Sequence, residues 1–151
     1  MINPVKIKNK FLEIPIIQGG MGIGVSLSNL AGNVMKNGGM GVLSMAHPGY
    51  KKDDFKKANL ETNLTAFMEE VEKARAIAGG RGLLGVNIMA ALKNFGTYVE
   101  KAVEAKVDAI IVGAGLPLDL PKYVKDKRIA LAPIVSSGRA AKLLFKAWDR
   151  H

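Results

Sequence analysis

Four glycines, Gly19, Gly20, Gly22 and Gly24, fall within six residues of the stretch IPIIQGGMGIGV, residues 14–25. Without a Cβ, backbone at these positions leaves room for something to come close. Glycine loops after an apolar strand often cradle a phosphate with backbone N–H groups, but the phosphate patterns fit poorly here. A dinucleotide fingerprint needs G-x-G-x-x-G, whereas Gly20, Gly22 and Gly24 give G-x-G-x-G and Val25 occupies the third glycine position. The next apolar run ends Leu43-Ser44-Met45-Ala46-His47, with no acid to take a ribose hydroxyl. No Gly-Lys-Ser/Thr follows the loop, so the Walker A pattern fails as well.

Other positions carry chemistry of their own. Asn87 is a polar amide inside the apolar run Val86-Asn87-Ile88-Met89, and a buried amide needs partners. Those partners are either a neighbouring loop or a ligand. Gly113, Ala114 and Gly115 follow a further apolar run, where small residues make either a simple turn or space for a ligand. Ser136 and Ser137 precede Gly138 and either face the site or, as expected, cap the helix that follows. Gln18 is compatible with touching a cofactor or with packing inward. His47 lies in a loop before Pro48-Gly49 and is expected to be a surface residue, and His151 a frayed terminal one. Two distant histidines and no carboxylate pair at ligand spacing argue against a metal centre. The absence of cysteine removes disulfides and thiolate chemistry.

The elements that must position these residues alternate. Buried runs at 14–17, 40–45, 83–89, 108–112 and 129–135 read as strands. Helical spacing appears at 26–37, 60–78, about 95–106 and 138–148, with a short helix after Pro117 and Pro121. Ser26 or Ser28 is placed to cap the first helix, and the segment 47–58 reads as a loop with a short charged helix. On the longest helix, Glu69, Glu70 and Lys73 lie off the apolar stripe. The strands are continuous apolar runs rather than alternating ones, the mark of a parallel sheet covered on both faces. Five βα units result, and both a doubly wound sheet and a (β/α)8 barrel are consistent with that order. A barrel needs eight units and typically ~250 residues.

The chain has 151 residues, enough for one domain with a core. Its net charge of +9 suits an anionic partner, but the basic residues are scattered and Lys51, Lys52, Lys56 and Lys57 are interleaved with Asp53 and Asp54. Aromatic residues make up 6%, too few for a nucleic-acid stacking platform, so no nucleic-acid partner is expected. No apolar run is long enough to span a bilayer, and the N-terminus lacks an apolar leader. A cytoplasmic location with no membrane partner is therefore expected.

Four motifs in order, PIIQGGMGIGVS, GVNIM (85–89), GAGLPLDLPKY (113–123) and PIVSSGRAA (133–141), resemble the nitronate monooxygenase family, also called 2-nitropropane dioxygenase-like. That family includes the FMN-dependent enoyl-acyl-carrier-protein reductases. The resemblance runs from about residue 5 to residue 150. It implies an α/β fold of the parallel (β/α)8 TIM-barrel type, incomplete here, with residues 1–151 as the N-terminal part of one FMN-binding domain. It also implies FMN as cofactor. The implied reaction is oxidation of alkyl nitronates with O2 to a carbonyl compound and nitrite, with NAD(P)H-dependent enoyl-thioester reduction as the alternative. A non-catalytic half-barrel, covering its open edges by self-association or with a C-terminal partner piece, is the third reading. By the resemblance, Gly20, Met21 and Gly22 lie against the flavin, Asn87 holds it, and Gly113 and Ala114 leave space beside it. The family's histidine base is implied to lie beyond residue 151, so no catalytic residue is assigned within the chain.

Overall fold

The computed structural model describes residues 3–57 and 59–150. An antiparallel hairpin comes first, β1 (Val5–Ile7) and β2 (Lys10–Leu12), with Val5 opposite Leu12. Its turn uses Lys8 at φ 53°. Periodicity did not reveal this hairpin, because three-residue strands are too short to show an alternation. There follow α1 (Ser28–Lys36), β3 (Met40–Ser44), α2 (Asn59–Ala78), β4 (Leu83–Met89), α3 (Phe95–Glu104), β5 (Ala109–Gly113), α4 (Leu120–Tyr123), β6 (Ala130–Pro133) and α5 (Gly138–Trp148).

Strands β3, β4, β5 and β6 pair in sequence order, all parallel. The run at 14–17 joins this sheet through one parallel bridge, Ile17 to Met40. A strand buried on both faces was expected there. Instead Ile16 and Ile17 are 60% and 54% exposed, because the run lies on the outer edge of β3 and has no strand beyond it among the described residues. Among the described residues of 47–58 the expected short charged helix is also absent. Residues 48–57 form successive turns, closed by bonds such as Tyr50 N–H to the His47 carbonyl and Lys57 N–H to the Asp54 carbonyl.

Alternate residues of each strand face opposite layers. Leu43, Leu84, Val86, Ile88, Ile110 and Val112 meet the helices in the larger core, around Phe67, Val71 and Val99. Met40, Val42, Leu83 and Ala109 face the other side, where Leu12 and Ile7 of the hairpin pack against them. The hairpin thus closes the inner face near the strand starts, and Lys10 fastens it there with a 2.5 Å ion pair to Asp108. Helix α1 lies so close to β3 that a Cβ on Gly41 would overlap the Ala31 carbonyl. Among the described residues no helix is long and apolar enough to cross a membrane.

Neither serine caps α1 as expected. Leu27 occupies the cap position without a side-chain bond. The Ser28 N–H donates instead to Oε2 of Glu70 on α2, at 2.7 Å. Glu70, read from the sequence as lying off the stripe, has a side chain only 14% exposed and also holds Lys73 at 3.2 Å. Partial burial pushes its carboxyl up, but the bonds from Ser28 and Lys73 outweigh burial and leave it below its ordinary value of 4.5. A carboxylate lowered by folding adds stability above its unfolded value and loses it as pH falls through the folded one. Glu70→Ala is therefore expected to lower stability by about 1 kcal/mol at neutral pH, as loss of a helix cap does. The gap from wild type should close as pH drops below 4.5. Urea unfolding of both proteins across that range checks this.

Candidate functional site

In a parallel β/α sheet the site lies at the C-terminal ends of the strands. Four inward-facing residues sit side by side one step below those ends, in the register Ser44, Asn87, Ile111 and Ala132. Ser44 is buried, and its Oγ accepts from Ala46 N–H at 3.2 Å. Asn87 is half-buried, and its side-chain amide bonds to nothing among the described residues. Above this row come Met89 and Gly113, opposite each other in register. Ala114 follows at φ 53°, a strained conformation for a residue with a side chain. Such strain persists where surrounding structure imposes it, and it clusters at ligand sites.

The glycine loop lies over the same row. A Cβ on Gly20 would collide with the Asn87 Cβ and meet Val42 Cγ1 at 3.2 Å, and one on Gly22 would sit 2.7 Å from the Ala46 Cβ. A Cβ on Gly24 would strike the Tyr50 ring, whereas one on Gly19 would meet nothing within 4 Å. The bare backbone at 20, 22 and 24 is thus required by the protein's own packing. Room for a ligand does not explain those glycines. The structure does bring Gly20 and Asn87 into contact, and it places Gly22 beside the end of β3. Met21 is 62% exposed.

Two residues outside the predicted set hold the loop. Oε1 of Gln18 accepts from Val42 N–H at 2.9 Å, while its Nε2 donates to Ser26 Oγ at 2.8 Å and to the Gly19 carbonyl. Ser26 Oγ also accepts from Met21 N–H at 2.8 Å and donates to the Gly19 carbonyl at 3.1 Å. Ser26 is 0% exposed, although a helix cap was expected of it. The spacing of the two residues gave no sign of this, because side-chain bonds across a loop leave no period. Ser137 does cap α5, accepting from Ala140 N–H at 3.2 Å.

His47 is not a free surface residue. Its Nδ1 lies 3.4 Å from Asn63 Nδ2, and its ring meets Phe55 edge-on at 5.5 Å. Asn63, fully buried, accepts from Gly49 N–H at 3.0 Å, donates to Asn59 Oδ1 at 3.0 Å and lies beside Tyr98. Burial pushes the Tyr98 phenol up, against the lowering influence of Asn63. This cluster anchors the turn after β3. His151 lies outside the described residues. No group of three potential metal ligands occurs among the described residues.

A parallel sheet wrapped by helices, closed at its base by a hairpin and bearing its glycine loop and free amide at the strand tips, is a partial (β/α)8 barrel. The sequence model described as nitronate monooxygenase matches residues 3–150, and the chain belongs to that family. No curated protein matches it. Among solved structures, FabK from Thermotoga maritima is similar at a TM-score of 0.67 and 23% identity, over 88% of this chain and 37% of that one. A point mutant of that FabK is similar at 0.67 and 24%, over 88% and 40%. These likenesses carry the fold. The chain spans roughly two-fifths of the length of those structures.

If packing alone dictates the glycines, Gly20→Ala should lower stability by about 1–3 kcal/mol through overpacking. Gly19→Ala, which meets open space, should be close to neutral. Thermal unfolding of the two variants side by side decides this.

Proposed function

We propose that this chain supplies the FMN-facing part of an oxidoreductase barrel that oxidises alkyl nitronates with O2 to a carbonyl compound and nitrite. Residues 1–151 then form one piece of a single FMN-binding domain. The observation that carries the reading is Asn87, a half-buried amide with both its donor and its acceptor unused in the inward row beneath the loop. That amide still reaches solvent, so both its donor and its acceptor are available to a ligand. The backbone N–H groups of Gly20 and Gly22 are likewise unpaired among the described residues. These groups fit the polar edge of a flavin ring, and exposed Met21 offers an apolar surface next to them. Gly113 and the strained Ala114 border the same space.

When bound, FMN supplies the redox chemistry. Asn87 and the loop amides of Gly20 and Gly22 would hold it, with Met21 and Met89 as the apolar side chains nearby. No proton-handling role falls to His47, whose ring is engaged by Asn63 and Phe55. The substrate is a small molecule, a nitronate in the first reading and an enoyl thioester in the alternative. A cytoplasmic enzyme without a nucleic-acid partner remains the setting this reading assumes. The outer edges of the sheet, where Ile17 and Ile134 are more than half exposed, are the places where further strands or a second copy would add.

FMN titration followed by visible absorbance tests the cofactor. Asn87→Ala is expected to weaken FMN binding about tenfold, the effect of one lost hydrogen bond, while the unfolding midpoint stays close to that of wild type. Unchanged affinity in that variant removes Asn87 from the site. Nitrite release from an alkyl nitronate supports the proposed reaction. NAD(P)H consumption driven by an enoyl thioester supports the alternative, and a preparation that stays colourless with added FMN supports a non-catalytic half-barrel.

A further inference from the structure

Ser26 belongs to no strand and caps no helix, yet it is wholly buried and bonds through its hydroxyl, its N–H and its carbonyl. Its N–H donates to the Met21 carbonyl at 3.0 Å, and its own carbonyl accepts from Ser44 N–H at 2.9 Å. Together with Gln18 it therefore ties residues 19–26 to two points of β3, Val42 and Ser44. Both points are buried in the sheet, so the anchorage is rigid. Inside this frame Met21 N–H is occupied, whereas the flanking N–H groups of Gly20 and Gly22 are left without partners among the described residues. Gly22 is exposed and Gly20 half-buried, so both N–H groups are open to an incoming acceptor at the strand tips.

We infer that Gln18 and Ser26 are positioning residues, clamping the glycine loop to β3 so that the N–H groups of Gly20 and Gly22 stand ready at the strand tips for an acceptor atom of a bound ligand. The clamp is a property of this chain alone. The identity of the ligand rests on the FMN reading above. Losing the Ser26 hydroxyl frees Met21 N–H and lets the loop sample other shapes, so fewer molecules present both donors together. Losing the Gln18 amide has the same effect from the strand side.

Two readouts test this on the ¹⁵N-labelled chain: amide hydrogen exchange at Met21 without flavin, and the affinity for FMN. In Ser26→Ala and Gln18→Leu, Met21 exchange should speed up about tenfold, the effect of one lost hydrogen bond, while Val112 in the sheet keeps its protection. FMN affinity should fall by a similar factor, and Ser26→Thr, which keeps the hydroxyl, should recover most of both. Unchanged Met21 exchange in folded Ser26→Ala overturns the clamp whether or not flavin binds. Faster exchange with unaltered FMN affinity overturns the positioning role. A wild type that binds no FMN defeats the flavin reading and with it the ligand-presenting half of the inference, and the exchange measurement still decides the clamp. Should Ser26→Ala fail to fold, Gln18→Glu keeps the acceptor for Val42 and loses both donors, and it is read out in the same two ways.

Discussion

The outer edge of β3 must be satisfied, and the first half of the molecule is arranged around that requirement. A buried backbone N–H without a partner costs about 1–3 kcal/mol. Three such groups face this edge, and two find backbone carbonyls while the third finds a side chain. Met40 N–H bonds the Ile16 carbonyl at 2.9 Å, as an ordinary parallel strand would provide. Val42 N–H bonds a side chain, the Gln18 amide, at 2.9 Å. Ser44 N–H bonds the carbonyl of Ser26, eight residues further along the loop, at 2.9 Å. The chain leaves the sheet after a single bridge and returns before the next helix, and the three edge N–H groups are all paired.

That solution explains the local sequence. Gln18 has both a donor and an acceptor, so it can stand in for a strand residue on one side and hold the loop on the other. Ser26 is small enough to be buried inside the loop and polar enough to link its two arms. Gly20 and Gly22 are needed because the returning chain passes directly over Asn87 and Ala46. The same crossing keeps the Asn87 amide in a half-buried setting without providing it a partner. A structural demand on β3 and an open polar row at the strand tips thus arise from one loop path.

Around that loop the fold divides its labour by strand face. Helix-facing residues such as Val86, Ile110 and Val112 carry the larger core. The inward face changes character along its length, from Met40 and Leu83 under the hairpin to Ser44, Asn87 and small residues near the tips. The hairpin closes one end and leaves the other open, and the open end is the one where β/α barrels in general build their sites. Glu70 shows the same economy between helices, since one carboxylate caps α1 and joins it to α2.

The sequence by itself determined the order of the main helices and parallel strands from α1 onward. β4 and α5 begin and end where the pattern predicted, and the unbroken apolar strands called for a parallel sheet with helices on it. Apolar runs and glycine stops act locally, so a one-dimensional reading captures them. Four motifs in register were enough to point to the family. The tertiary structure alone decided what the polar and glycine residues near the loop are for. Gln18, Ser26, Glu70 and His47 all find partners on other elements, and hydrogen bonds between distant segments leave no period in a sequence. It also decided that 14–17 is an exposed edge rather than a buried strand, because burial depends on neighbours in space. The glycines of the loop were legible as a place of close approach, but only the fold decided that the approaching atoms are the chain's own.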